Sequence, residues 1–172
     1  MKKQVKFILV IVPFIFVSIM GIMIIGKIEE KNETLDRISV LPPFQFQSIS
    51  SDEYYSDRDL PQGKMVFIFH VNSTCDFCRY EAMQIAKNID SFRGSTLVFV
   101  SSEEKKDMME FAREFSLWNI PQVVFLQDVS LEFSNIFGFQ SIPGTIVYGK
   151  DRKHLATFKG AVKAEKLLEL IE

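Results

Sequence analysis

Residues 65–71 read MVFIFHV, a continuous run of branched and aromatic side chains without a charge. A run of this kind suits a strand covered on both of its faces. It therefore demands a layered α/β architecture, with chain packed above and below a sheet. A second run, TLVFV at Thr96–Val100, has the same character. Between the two, Cys75 to Ile89 has helical spacing: Cys78, Ala82, Ile85 and Ile89 form one apolar stripe. Ser73 or Thr74 is placed to cap that helix, and Gly94 to stop it. Strands joined by a helical crossover pair in parallel.

The rest of residues 41–172 extends the pattern. LPPFQFQ alternates apolar and polar residues, a short edge strand, and Tyr54 to Gly63 reads as loop. Ser101 or Ser102 is expected to cap a helix with Met108, Phe111, Ala112 and Phe115 on its apolar side. Val123 to Leu126 suits a short strand and Leu131 to Phe137 a short helix. Thr145–Tyr148 and His154–Phe158 flank the turn GKDRK, which signals an antiparallel hairpin. Ala161, Ala164, Leu168 and Ile171 mark a last helix. The fold class is α/β, a sandwich about a mixed central sheet.

The N-terminus differs from this domain. Phe7 to Gly26 is twenty residues without a charge, preceded by Lys2, Lys3 and Lys6. A helix of that length spans roughly 30 Å, a bilayer core, and the lysines place its start in the cytoplasm. An uncleaved signal anchor (residues 1–28) is expected in preference to a cleaved signal peptide or a core helix, since no small-x-small site is found after it. Residues 29–40 then form a juxtamembrane linker. Beyond residue 28 the chain carries 16 basic and 22 acidic side chains and no basic stripe, which argues against nucleic-acid binding.

The chemistry rests on Cys75 and Cys78, the two cysteines of the chain. Zinc would need four ligands, and His70 and His154 do not complete a finger. A structural bridge closing so short a loop would add little stability. At a strand-to-helix junction, however, the first sulfur meets the positive end of a helix and the second lies one turn inside. Cys75 is then the attacking thiol and Cys78 the shielded resolving thiol of a disulfide-exchange pair. The Asp76 carboxylate opposes the charged sulfur that the helix end favours, each effect being about 0.3–1 kcal/mol, which tilts the pair towards a reductase or mild exchange catalyst. Phe77 is expected beside the sulfur as an apolar contact for a partner protein, or else packed in the first helical turn. Glu81 is either a helix-surface residue or a proton acceptor for Cys78.

MVFIFHVNSTCDFCRYEA and, further on, SIPGTIVYGKDRKHLATFKG resemble the thioredoxin superfamily. The likeness is to the membrane-anchored, extracytoplasmic thiol–disulfide oxidoreductases of the TlpA/ResA type, of redoxin, AhpC/TSA-like character, and spans residues 41–172. It implies a thioredoxin-like three-layer sandwich behind one N-terminal transmembrane helix. It implies Cys75 as nucleophile, Cys78 as resolving cysteine and Glu81 as the acid three positions on. It also implies a cis bond at Ile142-Pro143 facing the site, able to pair with an extended substrate, and Gly160 before the last helix. Thr74 stands where tryptophan is common, Phe77 where proline is, and Gly144 where a small hydroxyl residue is, although Thr145 comes next. The expected partners are protein thiols and disulfides, the lipid bilayer, and a membrane electron donor if the chain is a reductase. No cofactor beyond the Cys75–Cys78 disulfide is expected, and the location is a bacterial plasma membrane with the domain outside. Copper handling, a non-catalytic binding module and a peroxidase-like redoxin are the alternatives. The C-x₂-C spacing and the absence of a proline in VNSTC weigh against the first and the last.

Overall fold

The structure is a computed structural model that describes residues 19–23, 26–27, 33–51 and 53–171. The chain divides into two units, Met1–Arg37 and Ile38–Glu172. In the first, the described backbone is helical at 19–23, 26–27 and 33–37. The expected membrane segment Phe7–Gly26 lies mostly outside the described residues, and among those described no helix is long and apolar enough to cross a membrane.

The second unit holds a seven-stranded mixed sheet. Its strands are β1 (Gln45–Ser48), β2 (Tyr54–Ser56), β3 (Met65–His70), β4 (Ser95–Ser101), β5 (Val123–Gln127), β6 (Gly144–Tyr148) and β7 (His154–Lys159). Their order is β2-β1-β5-β4-β3-β6-β7. β3, β4 and β5 run parallel, and β1, β2, β6 and β7 join antiparallel. The helices are α1 (Asp76–Lys87), α2 (Lys105–Glu114), α3 (Phe133–Phe137) and α4 (Ala164–Leu168).

The apolar run at the centre alternates between two cores because strand side chains alternate faces. Met65, Phe67 and Phe69 of β3 point into one cluster with Cys78, Ala82 and Ile85 of α1, Met108 and Phe111 of α2, and Leu167 of α4. Val66 and Ile68 point the other way, to Phe133 and Phe137 of α3 and to Ile38 and Phe44. Register ties the first cluster together: Phe69 faces Phe99, and Phe99 faces Phe125. Their rings stack at 4.7 Å and 4.8 Å across three strands.

Several local expectations are corrected. Tyr54–Ser56 is a strand, not loop, so β1 is the second strand in and β2 the edge. Three residues are too few to show a period. Neither Ser73 nor Thr74 caps α1; Cys75 is its N-cap, and α1 ends at Lys87 with Ile89 in a separate 3-10 turn. Glu104, not Ser101 or Ser102, precedes α2 at the cap position. Ser101 instead donates its hydroxyl to Glu103. α3 starts at Phe133 because the Asp128 carboxylate accepts the N–H groups of Glu132 and Phe133, leaving Leu131 exposed before it. Ala161 is exposed ahead of α4, whose buried residues are Ala164 and Leu167.

Candidate active site

The parallel strands β3, β4 and β5 end along one edge of the sheet. The chain leaves β3 there, and residues 71–75 lead straight into α1. β6 begins at the same edge, since Gly144 pairs with His70. Topology thus brings the two halves of the sequence motif, about 65 residues apart, to one end of the domain.

Side-chain hydrogen bonds brace the loop that leads to Cys75. The Asn72 side-chain oxygen accepts the Thr74 N–H at 2.9 Å and the Thr74 hydroxyl at 2.6 Å. The Glu103 carboxylate accepts the Ser73 N–H at 2.6 Å and its hydroxyl at 2.7 Å. Arg79 donates to the Ser73 carbonyl and forms an ion pair with Glu114. The spacing of the motif contains no sign of Glu103, which sits 30 residues from Ser73 and arrives through the β4–α2 loop.

Both thiols are free, and they are unlike. Cys75 is half-buried, and its Sγ accepts the Cys78 N–H at 3.4 Å, closing the first turn of α1. Cys78 has no exposed surface. Burial pushes its thiol far above the ordinary range, and the hydrogen bond to Cys75 adds to the effect. One sulfur is therefore reachable and the other sealed behind it.

Glu81 is not a helix-surface residue: it is 1% exposed. The reason is geometric: one turn beyond Cys78 it points into the sheet, where the Thr145 hydroxyl of β6 donates to its Oε1 at 3.0 Å. Its Oε2 is buried without a hydrogen-bond partner. Burial raises the carboxyl to about 7, while Thr145 and the nearby Val162 backbone pull the other way.

Phe77 stands 69% exposed and Ile142 44% exposed, so each offers apolar surface at this end of the domain. The Ile142–Pro143 bond is cis, and the Pro143 carbonyl accepts the Gly160 N–H at 2.9 Å. Asp76 is exposed and, with Ser73, Thr74, Arg79 and Glu103, lines a cleft of about 550 Å³. Replacing Phe77 with alanine is expected to change stability by no more than about 0.5 kcal/mol, because the ring is not packed. Urea unfolding of the two proteins would read this difference.

The histidines are occupied elsewhere. His70 stacks on Phe133 at 4.2 Å, with Nδ1 3.3 Å from the Ser141 carbonyl. His154 places Nε2 2.8 Å from the Thr157 hydroxyl oxygen. Among the described residues no three His, Cys, Asp or Glu side chains are gathered to hold a metal ion.

Residues 39–154 match the model of the AhpC/TSA family. No curated protein matches the chain. Among solved structures, StoA from Bacillus subtilis is similar, with 22% identity, TM-score 0.60, and cover of 78% of this chain and 99% of that one. A secreted disulfide oxidoreductase of Mycobacterium tuberculosis, homologous to E. coli DsbE, has 17% identity and TM-score 0.63 over 78% and 95% of the two chains. The thioredoxin domain of a Bacteroides vulgatus thiol-disulfide oxidoreductase has 20% identity and TM-score 0.63 over 78% and 94%. At these identities the likeness shows the fold, a thioredoxin-like domain with a mixed sheet.

Proposed function

Because this chain belongs to the AhpC/TSA family, we propose that it is a protein thiol–disulfide oxidoreductase working through Cys75 and Cys78. The observation that carries the reading is the contrast between the two sulfurs, one reachable at the start of a helix and one sealed a turn below. In the reducing direction the Cys75 thiolate attacks a substrate disulfide and releases one substrate thiol. A Cys75–substrate mixed disulfide remains. Cys78 loses its proton to Glu81 and attacks Cys75 Sγ. The Cys75–Cys78 disulfide forms, and the second substrate sulfur leaves as a thiolate that takes up a proton. Two electrons pass from the cysteine pair to the substrate.

Phe77 and Ile142 would hold an extended segment of the substrate, with the backbone of Ile142 free to pair with it. The direction of exchange we favour is that of a reductase or mild exchange catalyst rather than a strong oxidant. The uncharged Phe7–Gly26 run behind three lysines supports a tether in a bacterial plasma membrane with the domain outside. Two cysteines cannot carry electrons across that membrane, so a membrane electron donor would restore the dithiol.

Trapping tests this directly. Cys78→Ala removes the resolving thiol, so mixed disulfides on Cys75 should accumulate in cells and disappear on reduction. A Cys78→Ala protein that captures nothing covalently, while Cys75 stays reactive to alkylation, would remove the basis of the proposal.

A further inference from the structure

We propose that Thr145 is a positioning residue for the exchange reaction: its hydroxyl holds Oε1 of Glu81, so that the free Oε2 serves the Cys78 proton. The inference rests on the exchange reading and on Glu81 as the proton acceptor.

The geometry is unusual for a domain interior. Thr145 is fully buried and Glu81 is 1% exposed, yet they meet across 64 residues of sequence in a 3.0 Å hydrogen bond. The carboxylate is half satisfied, since Oε2 has no hydrogen-bond partner. A buried carboxyl oxygen without a partner is costly unless it has a task. Glu81 lies one turn of α1 beyond Cys78, and its charge acts on the Cys78 thiol. The groups that act on Glu81 are Thr145 on β6 and the Val162 backbone ahead of α4, together with its own burial. Of these, Thr145 is the side chain, and it binds one oxygen only, Oε1.

Strand alternation explains why residue 145 has this role. Gly144 faces Phe139, and a Cβ there would lie 2.3 Å from a Phe139 ring carbon. A hydroxyl at position 144 would point away from α1. Thr145 points to the α1 face, as Val147 does two residues on. The hydroxyl one residue later is the one that reaches Glu81.

A donated hydrogen bond favours the carboxylate over the acid. Removing it should raise the pH at which Glu81 becomes a carboxylate able to accept a proton. The reduced domain would be mixed with 5,5′-dithiobis(2-nitrobenzoic acid), a small aromatic disulfide. The first thiolate released reports attack by Cys75, and the second reports resolution by Cys78. Thr145→Val should move the pH midpoint of the second phase upward by about one unit and leave the first phase unchanged. Thr145→Ser keeps the hydroxyl and should restore the wild-type profile. Should the valine variant not fold, Thr145→Ala makes the same deletion with less bulk. A Thr145→Val or Thr145→Ala profile that overlays the wild type overturns the inference. Glu81→Gln separates the two failures. If it flattens the second phase while the Thr145 variants do nothing, only the positioning role is lost. If it too changes nothing, the proton-acceptor reading falls with it.

Discussion

Glu81→Gln is expected to stabilise the domain above pH 7 while slowing its chemistry. In the folded protein the Glu81 carboxyl is raised from 4.5 to about 7 by burial. Between those values the folded state holds a proton that the unfolded chain has already lost. The contribution of this group is thus fully present below pH 4.5 and is lost as pH rises through 7. A pKa difference of one between folded and unfolded states corresponds to about 1.4 kcal/mol, so the buried charge costs on the order of 3 kcal/mol at pH 8. Glutamine carries no charge, and its carbonyl can still accept the Thr145 hydroxyl. Urea denaturation at pH 4, 6 and 8 would show the variant gaining on the wild type as pH rises. A stability difference that stays flat across this range would contradict the burial argument. That the native residue is the less stable choice at neutral pH is a reason to assign it a function.

Gly144→Ala should lower stability by about 3 kcal/mol, the upper end of the range for overpacked cores. The added Cβ would meet a Phe139 ring carbon at 2.3 Å and the Ser141 carbonyl oxygen at 2.7 Å. The ring cannot simply swing aside, because it packs edge-on against Phe133 at 5.3 Å. The carbonyl belongs to the chain just ahead of the Ile142–Pro143 bond and is itself within hydrogen-bond distance of His70. Neither neighbour moves freely, so the strain falls on the start of β6. Thermal unfolding should show a Tm lower by on the order of 10 °C. An alanine variant as stable as the wild type would mean that this turn can relax. The small hydroxyl residue common at this position in the resembled family is therefore excluded here by the Phe139 ring.

Much of this is legible in the sequence. Met65–Val71 announces a doubly covered strand, and β3 alternates between two cores in accord with that. The stripe of Cys78, Ala82 and Ile85 announces the buried face of α1. The features that escape the sequence are short or long-range. β2 has three residues and no period to read. The start of α3 is fixed by the side chain of Asp128 rather than by the apolar spacing that begins at Leu131. Glu81 could be a surface or a buried residue as long as only its own helix was considered, because a helical face is defined by what packs against it.

By itself, then, the sequence determined the layered α/β class, the strand-to-helix junction that carries Cys75 and Cys78, and the unlike settings expected for the two sulfurs. Those come from local periodicity and from the electrostatics of a helix end. The tertiary structure alone decided that Glu103 clamps Ser73, that Thr145 holds Glu81, and that Gly144 leaves no room for a side chain. These contacts join residues far apart in the chain. They depend on the register in which β6 meets β3, where a shift of one residue would turn every side chain to the opposite face.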